Sequence, residues 1–202
     1  MAAHGPISQL FAVVLAAGSA TRFGSTKQLA ELGGVPLVRR AANIATGACG
    51  SKTLLVVGHD WKAVSHACDP SQGFLIVNEH YADGVGTSIA AATRSLQQVA
   101  RAIIVMLADQ AMITTEHVKA MCDAWSGADD EIIATAYSDT VGAPVLFPRG
   151  CFTELSGLRG DAGGRHLLTD GRFRVRKINF EPAAVDVDTP DDLTQISRNA
   201  RS

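Results

Sequence analysis

Val13-Val14-Leu15-Ala16-Ala17-Gly18-Ser19-Ala20-Thr21-Arg22-Phe23-Gly24-Ser25-Thr26-Lys27 runs from an apolar stretch into small residues, two glycines and two fixed positive charges. Small residues let a backbone approach a bulky anion, and its N–H groups can then bind phosphate oxygens. Arg22 and Lys27 add full charges where those dipoles already point. The stretch reads as a strand that ends in a triphosphate-binding loop. It is not a Walker A loop, because Gly24 is followed by Ser25 and the lysine comes three residues after the glycine. Nor is it a GxGxxG fingerprint, since Gly18 has no glycine two places on, and Gly84-Val85-Gly86 fails that pattern at Ile89. A glycine-rich turn with two incidental basic residues is the plain alternative.

Outward from this stretch, short Val- and Ile-rich runs alternate with segments of helical period. Leu10–Leu15, Thr53–Val57, Phe74–Val77 and Ala102–Leu107 read as strands covered on both faces. Pro36–Ala48, Asp60–Cys68, Thr87–Ala100 and Thr115–Trp125 read as the helices between them, the last with Thr114 as N-cap and Glu116 in its first turn. His117 is expected on the surface of that helix. Beyond Trp125, Glu131–Tyr137, Ala143–Phe147 and Arg172–Phe180 read as strands and Cys151–Ser156 as a short helix. Thr189-Pro190-Asp191-Asp192 is a helix start: threonine at the cap, proline first, acids at the positive end. The alternation implies one α/β domain over residues 1–202, three-layered and Rossmann-like, with a mostly parallel central sheet and a loose tail at Met1–Ser8.

Two acidic features fall where such folds bind ligands. Asp109 lies just past the buried run Ile103–Leu107, at the carboxyl edge of the sheet beside the phosphate loop. Magnesium takes one or two carboxylates plus phosphate oxygens, so Asp109 either holds a metal–triphosphate or caps a turn. In Val185-Asp186-Val187-Asp188, extended backbone would put both acids on one side and both valines on the other. Either the pair completes a cation site with Asp109, or Asp188 starts the helix and Asp186 is solvated.

Composition excludes other classes. The 202 residues are 47% hydrophobic and 19% charged with a formal net charge of -2, which gives no basic field for nucleic acid. The alternation of Arg172, Arg174 and Arg176 with Phe173 and Val175 marks a solvated strand face. Cys49, Cys68, Cys122 and Cys151 are far apart with no CxxC pair, against zinc or a disulfide framework. No apolar run approaches the roughly 20 residues that span a bilayer, and no charged-then-apolar leader opens the chain. The expectation is a reduced, cytoplasmic protein without membrane or nucleic-acid partners. None of the six histidines has HExxH spacing. Gly86-Thr87-Ser88-Ile89-Ala90 is a defective nucleophile motif with no buried strand leading into it.

The glycine loop, Leu107-Ala108-Asp109-Gln110 and Val185–Leu193, in this order and spacing, resemble the molybdopterin-dinucleotide NTP-transferases, more closely the molybdenum cofactor cytidylyltransferase branch. Asn78–Ser88 and Gly142–Arg165 fit as well, so the resemblance runs from Val13 to Leu193. It implies that Leu15, Ala16, Ala17 and Gly18 wrap base and phosphates, that Arg22 and Lys27 neutralise the triphosphate, and that Asn78, Gly84 and Ser88 contact the nucleotide. It implies Mg²⁺ on Asp109 with Asp186 or Asp188, and a pterin substrate near Gly160, Asp161 and Arg165. Leu-Ala-Ala-Gly, against Leu-Ala-Gly-Gly in the guanylyl branch, points toward CTP rather than GTP. The implied substrates are CTP and molybdopterin, with transient contact with a molybdoenzyme. Ala111 replaces the proline usual after Asp-Gln, and Ala143 replaces a frequent histidine. A sugar- or alditol-phosphate nucleotidyltransferase would use the same loop and metal. A non-catalytic cofactor carrier would keep the loop but gain nothing from three intact acids.

Overall fold

Along β1 (Leu10–Ala16) side chains alternate between two apolar faces. Leu10, Ala12, Val14 and Ala16 enter one core cluster, and Val13 and Leu15 enter another. The chain is seen in a computed structural model that describes residues 9–19, 23–68 and 73–199. The expected tail at Met1–Ser8 and the loop residue Arg22 lie outside them.

The strands are β1, β2 (Glu31–Leu32), β3 (Val35–Pro36), β4 (Thr53–Val57), β5 (Phe74–Val77), β6 (Ala102–Leu107), β7 (Glu131–Tyr137), β8 (Thr140–Pro148) and β9 (Arg174–Asn179). The helices are α1 (Leu37–Cys49), α2 (Trp61–Ala67), α3 (Val85–Leu96), α4 (Thr115–Ala124), α5 (Phe152–Ser156) and α6 (Pro190–Asn199). β2 and β3 form a small ribbon, and the other strands form one sheet in the order β5-β4-β1-β6-β8-β7-β9. β1 runs parallel to β4 and β6, while β8 is antiparallel to both its neighbours. On one face α1 and α4 pack through Val38, Ala41, Ala45, Val118 and Met121. On the other, α3 and α5 pack through Ile89, Ala92, Leu96, Phe152 and Leu155. The result is the expected three-layer α/β architecture with a mostly parallel sheet.

The chain steps from β1 to β4 on one side and later to β6 on the other. The carboxyl ends of β1 and β6 therefore lie side by side where strand order reverses, the usual ligand crevice of open α/β sheets.

Several local expectations are corrected. β5 lies at the sheet edge, so Phe74, Leu75 and Val77 are exposed rather than covered on both faces. Pro36 ends the β2–β3 ribbon and α1 begins one residue later. Helix α3 runs from Val85 to Leu96, earlier at both ends than Thr87–Ala100. Val185–Asp188 is not a strand: Val187 is buried whereas Val185 is exposed, so the two valines do not share an environment. The cap of α4 is as expected, with the His117 N–H donating to Thr114 Oγ1 at 3.2 Å.

His117 is not on the helix surface. It is 5% exposed, its ring stacks on Phe180 at 4.2 Å, and its Nε2 lies 2.9 Å from Thr135 Oγ1. The Thr135 hydroxyl donates to the Pro144 carbonyl at 2.8 Å, so the geometry assigns the ring proton to Nε2. Position 117 lies on the stripe that α4 buries with Val118 and Met121, and the Thr135 hydroxyl offers a polar partner there. Burial depresses the His117 pKa below its ordinary value, because a charged ring would be desolvated. The unfolded chain therefore takes up a proton below about pH 6.5 that the folded chain resists, and stability falls as pH drops through that window. Urea denaturation of wild type and His117→Phe above and below this pH checks it: the variant should lose less stability on acidification. An unchanged acid loss would refute the assignment.

Candidate active site

The edge formed by β1 and β6 continues past both strands. The Ala108 N–H donates to the Leu15 carbonyl at 3.1 Å, and the Asp109 carbonyl accepts from Val187 N–H at 3.1 Å. That second bond draws the C-terminal acids to the end of β6. The glycine loop is closed from its far side: Gln28, on a short 3-10 turn over Lys27–Leu29, donates its amide to the Gly18 carbonyl at 2.8 Å. The same turn directs Lys27 inward. Its ammonium lies 2.7 Å from Asp109 Oδ2 and 3.1 Å from Asp188 Oδ1.

The helix-start role considered for Asp188 belongs instead to Thr189 and Asp192. The Asp192 carboxylate accepts from Asp188 N–H, Thr189 N–H and the Thr189 hydroxyl at 2.9, 2.7 and 3.0 Å. This is the capping-box arrangement, and it leaves the Asp188 side chain for Lys27. Backbone hydrogen bonds from Thr189 and Asp188 depress the Asp192 pKa.

Electrostatics tie the group together. Burial alone would lower the Lys27 pKa, but Asp109 and Asp188 outweigh it and hold the ammonium charged. Asp186 is pushed up to about 6 by desolvation, then by the charges of Asp109 and Asp188. Three carboxylates thus crowd one ammonium. Among the described residues no three histidine, cysteine or carboxylate side chains are arranged as a ready metal cage. Here the lysine stands between two of the acids. The donors are nonetheless all carboxylate oxygens with surplus negative charge, which suits a hard divalent cation.

A cavity of about 510 Å³ opens beside this cluster. Of the expected nucleotide contacts, Leu15, Ala17, Gly18, Lys27, Gly84, Ser88 and Asp109 line it, and so does Asp161. Ala16 is buried behind it, pointing into the α1–α4 core. Asn78 is buried too, and its amide acts as scaffold, donating to Thr87 Oγ1 at 2.9 Å and Ser88 Oγ at 3.0 Å. Gly84, at φ +105°, starts α3 against the backbone of Gly160; a Cβ there would overlap it, and Gly86 N–H donates to the Gly160 carbonyl at 2.9 Å. A second cavity of about 250 Å³ adjoins the first across Leu15, Val85 and Leu107, and Arg165 lies on it. Gly160 lines neither cavity, and its backbone packs on the start of α3.

Sequence reading missed four residues. Gln28 fastens the loop, and Tyr81 lines the larger cavity beside Gly58, where a Cβ would collide with its ring. Gln110 donates to the carbonyls of Ala143 and Ala183 at 2.9 and 3.2 Å, linking β6, β8 and the acid segment. Tyr137 lines the smaller cavity. Only Gln28 and Gln110 carried a signal, as polar residues flanking the two charged positions. Ala111 packs with Leu32, Leu37 and Val187, and Ala143 serves through its carbonyl.

A glycine-rich loop facing acids across the edge of a three-layer α/β sheet is the layout of a nucleotidyltransferase. Residues 12–176 match the MobA-like NTP transferase domain, and the chain belongs to that family. It is 26% identical over 200 residues to the purine catabolism protein PucB of Bacillus subtilis, covering 94% of this chain and 96% of that one. The crystal structure of Rv0371c from Mycobacterium tuberculosis superposes with a TM-score of 0.81 at 30% identity, covering 94% and 98% of the two chains. That protein has also been crystallised as a complex with manganese. Molybdopterin-guanine dinucleotide biosynthesis protein A from Archaeoglobus fulgidus shares the fold, with a TM-score of 0.69 at 18% identity over 94% and 98% of the chains.

A cation taken up by these acids would have to displace Lys27 from the same carboxylates. Lys27→Met should therefore bind free Mn²⁺ several-fold more tightly than wild type when no nucleotide is present, read by electron paramagnetic resonance of the unbound ion. Equal or weaker binding would show that the acids do not converge on a shared cation position.

Proposed function

We propose that the protein transfers CMP from CTP to the terminal phosphate of molybdopterin, releasing pyrophosphate. The observation that carries this reading is the convergence of Lys27, Asp109 and Asp188 at the mouth of the cavity behind the Gly18 loop. The manganese complex of Rv0371c and the molybdopterin-guanine dinucleotide protein of the same fold support it. The choice of CTP over GTP rests on the Leu15-Ala16-Ala17-Gly18 stretch.

The chemistry follows from charge. A phosphate monoester has a second pKa of about 6 and is largely ionised at neutral pH, so it needs no strong general base to attack. The difficulty is bringing two polyanions together. Lys27, held charged by its acids, neutralises the triphosphate, and the N–H groups of the glycine loop orient it. Arg22 adds a second charge from the loop. Asp109 with Asp186 or Asp188 would hold Mg²⁺, which when bound offsets charge on the triphosphate and on the departing pyrophosphate. Most of the rate enhancement then comes from positioning and electrostatics.

Pyrophosphate release with CTP, GTP and ATP, each with and without molybdenum cofactor, tests this. Release should require the cofactor and favour CTP. Asp109→Ala and Lys27→Ala should each slow it by about 100-fold or more, the scale of losing a charge-stabilising group. Release with a sugar phosphate but not with the cofactor would turn the reading to a sugar-phosphate nucleotidyltransferase, and wild-type rates in both variants would remove the site assignment.

A further inference from the structure

The four cysteines are far apart in sequence, yet the fold sorts them into a pair and two singles. Cys68 and Cys151 are buried in different core clusters, and burial pushes their thiols up to about 11 and about 12. Cys49 and Cys122 are only partly buried, and both pack on the same core cluster. Helical spacing brings them there. Cys49 ends α1 on the stripe Ala42, Ala45, Cys49, and Cys122 lies on the stripe Thr115, Val118, Cys122 of α4.

Gly47 lets these two helices close up, since a Cβ on it would lie 2.9 Å from Thr115 Cγ2. Packed helices usually keep their axes about 8–10 Å apart, whereas a disulfide needs Cα atoms roughly 4.4–6.8 Å apart. A glycine two residues before Cys49 narrows the gap where a bridge needs it narrow. The Cys122 thiol reaches across and donates a hydrogen bond to the Cys49 sulfur. That contact gives the sulfurs unequal roles. The hydrogen bond lowers the Cys49 pKa against the cost of burial, with help from the Lys52 charge. The same bond raises Cys122, as do burial and the charges of Cys49 and Asp123. A partly accessible thiolate beside a second thiol is the arrangement in which oxidation stops at a disulfide.

We propose that Cys49 and Cys122 form a peroxide-oxidisable dithiol, a modification site on the α1–α4 face. The Cys49 thiolate attacks one oxygen of hydrogen peroxide. The O–O bond breaks, a sulfenic acid forms, and the other oxygen leaves as hydroxide and takes a solvent proton to become water. The Cys122 sulfur then attacks the sulfenic sulfur: the S–S bond forms, the S–O bond breaks, and the Cys122 proton leaves with the hydroxide as water. In balance, two thiols and one peroxide give one disulfide and two waters. A small dithiol supplies the two electrons that reverse it. Neither cysteine lines either cavity, so the bridge ties α1 to α4 without entering the ligand cleft. It closes a long loop of chain, which restricts the unfolded state and makes the oxidised protein harder to unfold.

The full chain, reduced and then exposed to hydrogen peroxide, tests this by thiol titration in denaturant and by peptide mass spectrometry. Thiols should fall from four to two per chain, with a Cys49–Cys122 peptide linked within one chain and a higher urea midpoint. Dithiothreitol should restore all four. In Cys122→Ser, Cys49 should instead accumulate as the sulfenic acid, trapped by dimedone, and in Cys49→Ser neither product should form. In wild type, where no substitution intervenes, iodoacetamide should label Cys49 at least tenfold faster than Cys68 or Cys151, about the gain from one unit of pKa difference. A full thiol count after peroxide, separate oxidation of Cys49 and Cys122 without a link, a bridge only between chains, or a link through Cys68 or Cys151 would each overturn the proposal.

Discussion

One ammonium between two carboxylates organises this molecule's working edge. Asp109, Asp186 and Asp188 repel one another, and burial together with that repulsion raises the Asp186 pKa. Lys27 answers it by ion-pairing with Asp109 and Asp188 at once. The contact spans three remote stretches of chain, so the loop after β1, the end of β6 and the approach to α6 are fixed relative to one another by charge as well as by packing. The acids hold the lysine protonated, and the lysine offsets their mutual repulsion.

Backbone hydrogen bonds make this contact repeatable. The Asp109 carbonyl takes the Val187 N–H, and buried Val187 packs with Leu32, Leu37 and Ala111. Gln110 fastens the preceding Ala183 carbonyl and the Ala143 carbonyl of β8. Asp192 absorbs the duty of capping α6, so the Asp188 carboxylate is not consumed by its own helix. The arrangement gives each acid near Thr189 a separate task, although the sequence offers them as near equivalents.

The same edge is divided by close backbone approach. Gly84 and Gly86 bring the start of α3 onto Gly160, and Val85 between them faces both cavities. A polar cleft with charge at one end and a smaller cavity walled by Ile89, Val145 and Phe147 thus share a thin partition. Two ligands of different chemistry can meet there without either losing its own surroundings, which is the geometric requirement for transfer between them.

The sequence by itself determined the three layers, because unbroken apolar runs such as Ile103–Leu107 are stable only when covered on both faces. It also determined which residues carry charge at the edge: Lys27 after one run and Asp109 after another. Motif order tied these to Asp186 and Asp188. The tertiary structure decided which side chains reach which partners. Asn78 reads as a ligand contact but spends its amide on Thr87 and Ser88, and His117 reads as surface but is enclosed beside Thr135. Edge position exposes Phe74 and Leu75 despite their apolar run, since strand order is set by crossovers that no local pattern encodes. Gly47 reads as an ordinary helix residue and Gly84 as a ligand contact, yet each makes room for a neighbour from another part of the chain. Periodicity and charge are local properties and can be read in line, whereas partner choice and enclosed space depend on segments brought together from a distance.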